Sequence, residues 1–224
     1  LLRLRHFRTV ALGLGGVALC CAPYFYIHPG SLAIFLGINL EASHFNGALT
    51  HAGNLGLWGL LVSLGAKLSH SPLAELSALS DLPLLAQLPV YIISALVFTT
   101  ALYITFTCRC PDSTLLIALW MTTYILVYKD VWEHHYVFLL PVLVALYARF
   151  NAVQLLWLYA VLALPTPFVF FDVTPGIYGA IDPERTWSIG VSLLYRSTKL
   201  VPSLVLWLWI LRHLHSAQED RCKN

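Results

Sequence analysis

The feature that most constrains this chain is a series of long stretches without a charged side chain. Of the 224 residues, 58% are hydrophobic and 11% are charged, whereas soluble domains run at roughly 45–50% and about 25%. These proportions exclude a soluble globular domain. The uncharged stretches cover residues 9–40, 82–108, 113–128, 134–148 and 150–171, and a less clean stretch runs from Trp187 to Leu211.

The stretches are near the length that a membrane-spanning helix requires. About 20 apolar residues cross a hydrocarbon core of roughly 30 Å, and a helix satisfies every backbone polar group there. The sequence therefore predicts an all-α fold: a polytopic transmembrane helix bundle with about six spans, forming a single domain over residues 1–224. The predicted spans are residues 10–28, 84–106, 113–128, 131–149, 152–171 and 187–211.

The distribution of Lys and Arg orients these spans. With a cytoplasmic N-terminus, eight of these residues fall on the inner side and three on the outer side, as the positive-inside rule requires. Both termini are then cytoplasmic, in a plasma (inner) membrane.

A net charge of +2 without a long basic run argues against nucleic acid as a partner. The predicted outer loops are residues 29–83, 129–133 and 172–186.

A second apolar stretch lies inside the first outer loop, from Leu55 to Ala66. Its 12 residues are too few to span a bilayer and are typical of a re-entrant or interfacial helix. One alternative stays open. Residues 47–66 together could form a seventh, poorer span, which would invert the orientation of everything before it.

The densest polar cluster is the segment from Lys129 to His135, between two apolar stretches. The stretch from Tyr136 to Arg149 contains only 14 residues, or about 21 Å of helix, so the fourth span must also recruit residues 132–135. Ionisable groups at that depth are functional candidates by default. The alternative is an interface anchor, with an aromatic side chain at the membrane surface and the charges solvated above it.

A helix through this cluster would pair its acids and bases. Asp130 and His134 would be i,i+4 neighbours, and so would Lys129 and Glu133. A carboxylate that is hydrogen-bonded to one imidazole nitrogen leaves the other nitrogen available to a ligand. Because His134 and His135 would lie about 100° apart on a helix, we predict hydrogen bonding to a polar substrate rather than a metal site. The sequence predicts no cofactor.

Arg196 and Lys199 are the second unusual feature, because they fall near the middle of the sixth span. A cation at that depth costs at least ~2.5–3.5 kcal/mol, so we expect an anionic partner. The two residues share a helix face, which suits a lipid-linked phosphate or pyrophosphate. The alternative is topological: residues 187–199 could form an amphipathic interfacial helix, with the true span over residues 200–215.

The segment from Val131 to Pro141 resembles glycosyltransferase family 87. Members of this family are polytopic GT-C-type enzymes, typified by polyprenol-phosphate-mannose-dependent mannosyltransferases. They carry a Trp-x-His-His or Glu-His-His run before an apolar stretch that ends in Leu-Pro. Phe45-Asn46-Gly47-Ala48-Leu49 is similar to the end of their Asn-Gln-Ser-Leu-x-Gly segment, but Ala42-Ser43-His44 stands where Asn-Gln-Ser would align.

The resemblance covers most of the chain, but only the C-terminal part of the family. Such enzymes keep their catalytic aspartate in a first outer loop, and no residue here matches it. We therefore expect a fragment that lacks the N-terminal catalytic loop. The resemblance implies a polyprenyl-phosphate sugar donor and a lipid or polysaccharide acceptor, with His134, Glu133 and His135 as polar groups of the site.

The leading hypothesis is thus a membrane glycosyltransferase that moves a hexose, mannose by the resemblance, on the outer face. Its predicted catalytic residues are His134, Glu133 and Asp130. Its predicted substrate-binding residues are His135, Arg196, Lys199 and Asn46. Two alternatives remain. The protein could be a transporter or lipid-binding membrane protein, although the sequence has no paired, interrupted helices, or a non-catalytic remnant of such an enzyme.

Overall fold

A computed structural model describes residues 7–28, 30, 51–71, 79–108, 112–166 and 187–222. The chain separates into two compact units, Leu1–Phe45 and Asn46–Asn224. All regular elements among the described residues are helical, which confirms the predicted all-α class. In the first unit, helix α1 covers Phe7–Ile27, where a span over residues 10–28 was predicted.

The second unit contains the remaining described helices. Apolar side chains dominate the longer helices, and most of the breaks between them contain Gly, Pro, Asn or charged residues, which favour helix termini. In chain order they are α2 (Leu57–Leu68), a 3₁₀ turn (Leu79–Asp81), α3 (Leu84–Thr107), α4 (Ser113–Val127), α5 (Glu133–Tyr136), α6 (Leu139–Phe150), α7 (Val153–Ala163) and α8 (Ile189–Cys222).

Helix α4 is the centre of this unit and packs against α3, α6 and α8. Its buried residues join one apolar core with leucines of α6 and α8. Indole groups add polar links between the helices. Trp207 of α8 donates to Thr123 Oγ1 at 2.9 Å, and Trp120 donates to Thr105 Oγ1 of α3 at 3.0 Å. Helix α7 packs on α6 and α8, and α2 on α3 and α8.

The polar residues collect at the two ends of this bundle. At one end, Asp112 before α4 lies 3.2 Å from Arg149 in the last turn of α6, and Phe150 contacts the ring of His213 on α8. At the other end, which we call the site end, α4 terminates and α5 begins. Helices α4 and α6 therefore run antiparallel.

Helix lengths alone do not give the number of membrane spans. Among the described residues, one helix, α3 with 24 residues, is both long and apolar enough to cross a membrane. The apolar helices α2, α4 and α7 are shorter; the 15 residues of α4 cover about 22 Å.

Two predicted boundaries were wrong, and one open alternative is not supported. The fourth span does not begin as a helix at residue 131, because Trp132 is extended and α5 starts at Glu133. Helix α7 ends at Ala163 instead of continuing to residue 171, because Leu164 precedes a proline and adopts an extended conformation. Residues 51–56 are not helical, so the helix in this region is the 12-residue α2, and the described residues do not support the alternative of a seventh span over residues 47–66. The predicted loop 172–186 lies outside the described residues.

Asp112 is the N-cap of α4 and generates a stability prediction. Its Oδ1 accepts from the amides of Thr114 and Leu115 at 2.8 and 3.3 Å. Asp112→Ala should lower the free energy of unfolding by about 1 kcal/mol, because these amides lose their acceptor. Chemical unfolding of the purified protein, followed by circular dichroism, measures the change.

Asp112→Asn is the matched control, since Asn keeps the capping oxygen. Burial raises the pKa of Asp112, but hydrogen bonds from Arg149 and the two amides outweigh it, and the net pKa is lowered from 3.8. The charge therefore stabilises the fold above pH 3.8, and this contribution is lost as the pH falls through the lower folded value. Equal losses in both variants at pH 7 would assign the effect to the charge and not to the cap.

Candidate functional site

Two non-helical segments lie side by side at the site end: residues 51–56, before α2, and residues 129–132, between α4 and α5. The Leu55 amide donates to the Val131 carbonyl at 2.7 Å, and the Tyr136 hydroxyl donates to the Leu55 carbonyl at 2.9 Å. These contacts join stretches of chain that are more than 70 positions apart. The polar cluster predicted from the sequence is therefore supported by a loop that precedes α2.

Asn54 fastens the two segments together. Its side chain is fully buried; Nδ2 donates to the Lys129 carbonyl at 2.8 Å. Oδ1 accepts from the Val131 amide at 3.3 Å and from the Gly56 amide at 3.1 Å. One amide side chain thus satisfies backbone groups of both segments, which would otherwise be buried at a cost.

Arg196 of α8 binds the 51–56 segment through its carbonyl groups. Its side chain is 0% exposed, and Nη1 donates to the Asn54 carbonyl. Nη2 donates to the His51 carbonyl at 3.3 Å and to the Ser63 hydroxyl of α2 at 3.1 Å. The guanidinium therefore ties α8 both to the 51–56 segment and to α2.

Lys199, one turn further along α8, binds a different part of the bundle. It is 2% exposed, and Nζ donates to the carbonyls of Leu162, at 2.9 Å, and Leu164. The last carbonyls of a helix lack intrahelical partners and favour a cation. Nζ also lies 4.0 Å from Oε1 of Glu133, the oxygen to which the Thr166 amide donates. Lys199 thus joins the end of α7 to the start of α5.

Arg196 and Lys199 were predicted to share one anionic ligand. Instead, Arg196 donates to oxygens near α2, and Lys199 donates to the end of α7. Glu133 is an anionic neighbour of Lys199, as the cost of a buried ammonium led us to expect. The contact with a lipid phosphate stays a prediction, and both side chains are buried in this structure. They lie on one continuous helix, which begins at Ile189 and passes through Pro202.

The predicted helical pairing of Asp130 with His134 and of Lys129 with Glu133 is wrong, because the helix begins only at Glu133. Asp130 Oδ1 instead accepts from the Trp132 indole at 2.5 Å. Burial raises the pKa of Asp130, and the indole hydrogen bond and the charges of the neighbouring histidines offset part of that rise. Asp130 remains electrostatically coupled to the histidine pair.

The two histidines have different environments. His135 is half-buried, and its Nδ1 accepts from the Trp132 amide at 3.0 Å, which caps the start of α5. His134 is exposed, and its ring centroid lies 4.2 Å from that of His135. His134 is therefore the cluster residue best placed to reach a ligand from solvent, while His135 is fixed by the backbone. Within the described residues, no three His, Cys, Asp or Glu side chains could hold a metal ion together.

Asn46, predicted to bind substrate, lies outside the described residues. Asn54 was not singled out, although Gly53-Asn54 stands directly before an apolar stretch and is typical of a structured turn. That signal locates a turn, but it does not reveal which distant segment the Asn side chain will bind.

Comparison with known proteins identifies no relative: no family model, curated protein or solved structure matches this chain. Function must therefore be inferred from the residues themselves.

Gly59 of α2 generates a prediction about this arrangement. A Cβ at this position would lie 2.5 Å from Arg196 Nη1 and 2.8 Å from the Asn54 carbonyl. Gly59→Ala should therefore lower the free energy of unfolding by about 1–3 kcal/mol, the usual cost of overpacking, in spite of the higher helix propensity of Ala. Chemical unfolding measures the loss.

Gly190→Ala is the matched control in α8. There the nearest atom to an added Cβ is Ser188 Oγ at 3.9 Å, so the helix propensity of Ala should leave stability unchanged or raise it by up to about 1 kcal/mol. If Gly59→Ala were as stable as Gly190→Ala, the close approach of the guanidinium to α2 would be wrong.

Proposed function

We propose that this protein is an integral membrane glycosyltransferase that transfers a hexose, with mannose the first candidate, from a polyprenyl phosphate to a lipid or polysaccharide hydroxyl on the outer face. The observation that carries the proposal is the organisation of the site end. There, Glu133, exposed His134 and half-buried His135 stand on one short helix, above two buried cations. The same residues carry the resemblance to glycosyltransferase family 87.

The surface of α3 supports the membrane setting. Only 17% of its most apolar 18-residue stretch is buried, whereas the core helix of a soluble protein would be mostly buried. Soluble monomers seldom expose large apolar surfaces, and lipid would cover the exposed apolar side chains of α3. The α3 side chains that are at least half exposed include Leu84, Leu85, Tyr91, Ile92, Leu96, Tyr103 and Phe106.

Within this proposal the chain forms about six spans, with both termini in the cytoplasm and the site end outside. A C-terminal fusion to green fluorescent protein should fluoresce, and a fusion to alkaline phosphatase at the same position should be inactive, because the phosphatase folds only after export. The protein should also stay in pelleted membranes after extraction with alkaline carbonate. An active phosphatase fusion would show that the orientation is the reverse of the one proposed. Release of the protein by carbonate would contradict its insertion in the membrane.

Glu133 is arranged to receive a substrate hydroxyl. The contacts described for its carboxylate, with the Thr166 amide and the Lys199 ammonium, are both made by Oε1, and its side chain is 32% exposed. We assign Oε2 as the acceptor of a hydrogen bond from a sugar or acceptor hydroxyl. A fixed Oε1 holds the carboxylate in one orientation, which lowers the reorganisation that binding requires.

In the proposed reaction the acceptor oxygen attacks the anomeric carbon, and the bond from that carbon to the phosphate oxygen breaks. The hydroxyl proton passes to a base, for which we assign His134, and the phosphate leaves as an anion. Asp130, which is coupled to the histidine pair, stabilises the imidazolium that this transfer creates.

The buried cations support the same reaction from beneath the site. Arg196 and Lys199 add positive charge in a medium of low dielectric, where charges interact more strongly than in water, and phosphate release places negative charge above them. The partners in this proposal are the polyprenyl-phosphate donor, the glycan or lipid acceptor and the surrounding membrane lipids. Asn46 keeps its proposed role in substrate binding.

The proposal predicts that His134→Ala lowers turnover by about 10²-fold or more, the usual contribution of a positioned acid or base. Glu133→Gln, which keeps the shape of the side chain, should also lower turnover. The assay follows radiolabelled mannose from polyprenyl phosphate mannose into lipid and polysaccharide fractions, using membranes that contain the full-length protein.

His215→Ala is the matched control, because His215 is an exposed histidine on α8 near the opposite end of the bundle. It should leave turnover unchanged. Full transfer activity in His134→Ala would show that His134 is not the base and would favour the alternative, in which residues 129–135 anchor the helix at the membrane interface. Absence of mannose transfer in the wild-type protein, with other polyprenyl-phosphate hexoses equally inactive, would reject the enzyme.

A further inference from the structure

We propose that Asn54, anchored by Arg196, is a positioning residue that fixes the imidazole of His135 and with it the geometry of the site. Its catalytic meaning rests on the proposed function; the geometry itself can be tested without substrate. Neither the sequence pattern nor the resemblance assigned a role to Asn54.

A continuous series of hydrogen bonds leads from the bundle core to this ring. Arg196 Nη1 donates to the Asn54 carbonyl, and the Asn54 side chain donates to the Lys129 carbonyl at 2.8 Å and accepts from the Val131 amide at 3.3 Å. The next amide, that of Trp132, donates to His135 Nδ1 at 3.0 Å. Each bond fixes the backbone from which the following bond is made.

Close packing restrains the same segment. A Cβ at Gly53 would overlap the Trp132 ring, so the indole lies directly against the backbone of the 51–56 segment. The His51 ring also contacts this indole, with centroids 5.3 Å apart. The 129–132 segment is therefore held by a side chain, a backbone pair and a ring contact, all contributed by residues 51–55.

The position of the Trp132 amide determines the tautomer of His135. Because Nδ1 accepts this N–H, the neutral ring must carry its proton on Nε2. His135 then offers Nε2–H as a hydrogen-bond donor, the form that suits a phosphate or carbonyl oxygen. If residues 129–132 shifted, the amide would no longer select this tautomer, and the ring would present a mixture of donor and acceptor nitrogens.

The test uses Asn54→Asp in the full chain. Aspartate keeps the shape of the residue and an oxygen at Oδ1, but it cannot donate to the Lys129 carbonyl. Nitrogen NMR of the ¹⁵N-histidine-labelled protein, with His135→Gln used for assignment, should show the Nε2–H tautomer in the wild-type protein. In Asn54→Asp the tautomer ratio should change by roughly fivefold, as expected for the loss of one hydrogen bond of ordinary net strength.

Thr123→Val is the matched control. It removes a buried acceptor, the oxygen that receives the Trp207 indole at 2.9 Å, and it leaves the described contacts of Asn54 intact. A role of Asn54 limited to general stability would make the two variants alike. An unchanged His135 tautomer in folded Asn54→Asp, or an equal change in Thr123→Val, would overturn the proposal.

Hydrogen exchange of the wild-type protein gives a second measurement that does not depend on whether Asn54→Asp folds. The Val131 amide should exchange at least tenfold more slowly than an amide in an exposed loop. Exchange at the rate of an open loop would show that Asn54 does not hold this segment, and the proposal would fail.

Kinetics separate this inference from the proposed function. With polyprenyl phosphate mannose, Asn54→Asp should lower kcat by about tenfold and leave KM within twofold, because the donor still binds while the site is misaligned. If the His135 tautomer changes in Asn54→Asp but the wild-type protein has no transferase activity, the proposed function is rejected and the positioning role of Asn54 is retained. An unchanged tautomer in an active protein would reject the positioning role alone.

Discussion

The structure depends on a guanidinium buried where the helices of the second unit meet. Removing a cation from water costs several kcal/mol unless oxygen atoms replace its hydration, and Arg196 donates to oxygens of His51, Asn54 and Ser63. This requirement brings the 51–56 segment over α8 and explains why Gly59 has no side chain at the point of contact. The geometry of the site end follows from satisfying one charge.

Lys199 applies the same principle on the other side of α8. The end of α7 has carbonyls without helical partners, and the ammonium binds two of them while approaching Glu133. Two anchors three positions apart on one helix thus support different walls of the site. Helix α8 orients the 51–56 segment through Arg196 and the carboxylate of Glu133 through Lys199, so the two charges act as structural supports as well as a source of positive potential.

The helices could largely be predicted from the apolar stretches, and the depth of Arg196 and Lys199 marked both as unusual. Their partners could not be predicted, because they are backbone carbonyls, which carry no signature of residue type. Asn54 was missed for the same reason: its ligands are main-chain groups of a distant segment. The early end of α7 was predictable, since Pro165 restricts Leu164. The non-helical course of residues 129–132 was not, because tertiary contacts with residues 51–56 override local helix propensity.

The division between rigid and accessible groups matches the chemistry that we propose. Asn54, Arg196 and Lys199 are buried, whereas His134 is exposed and Glu133 is partly so; reactive groups thus stand on a support that need not reorganise when a substrate binds. A polyprenyl-phosphate donor keeps its chain in lipid and its phosphate at the interface, while the acceptor hydroxyl arrives from water. The polar cluster at the site end of this apolar bundle is where two such substrates can meet.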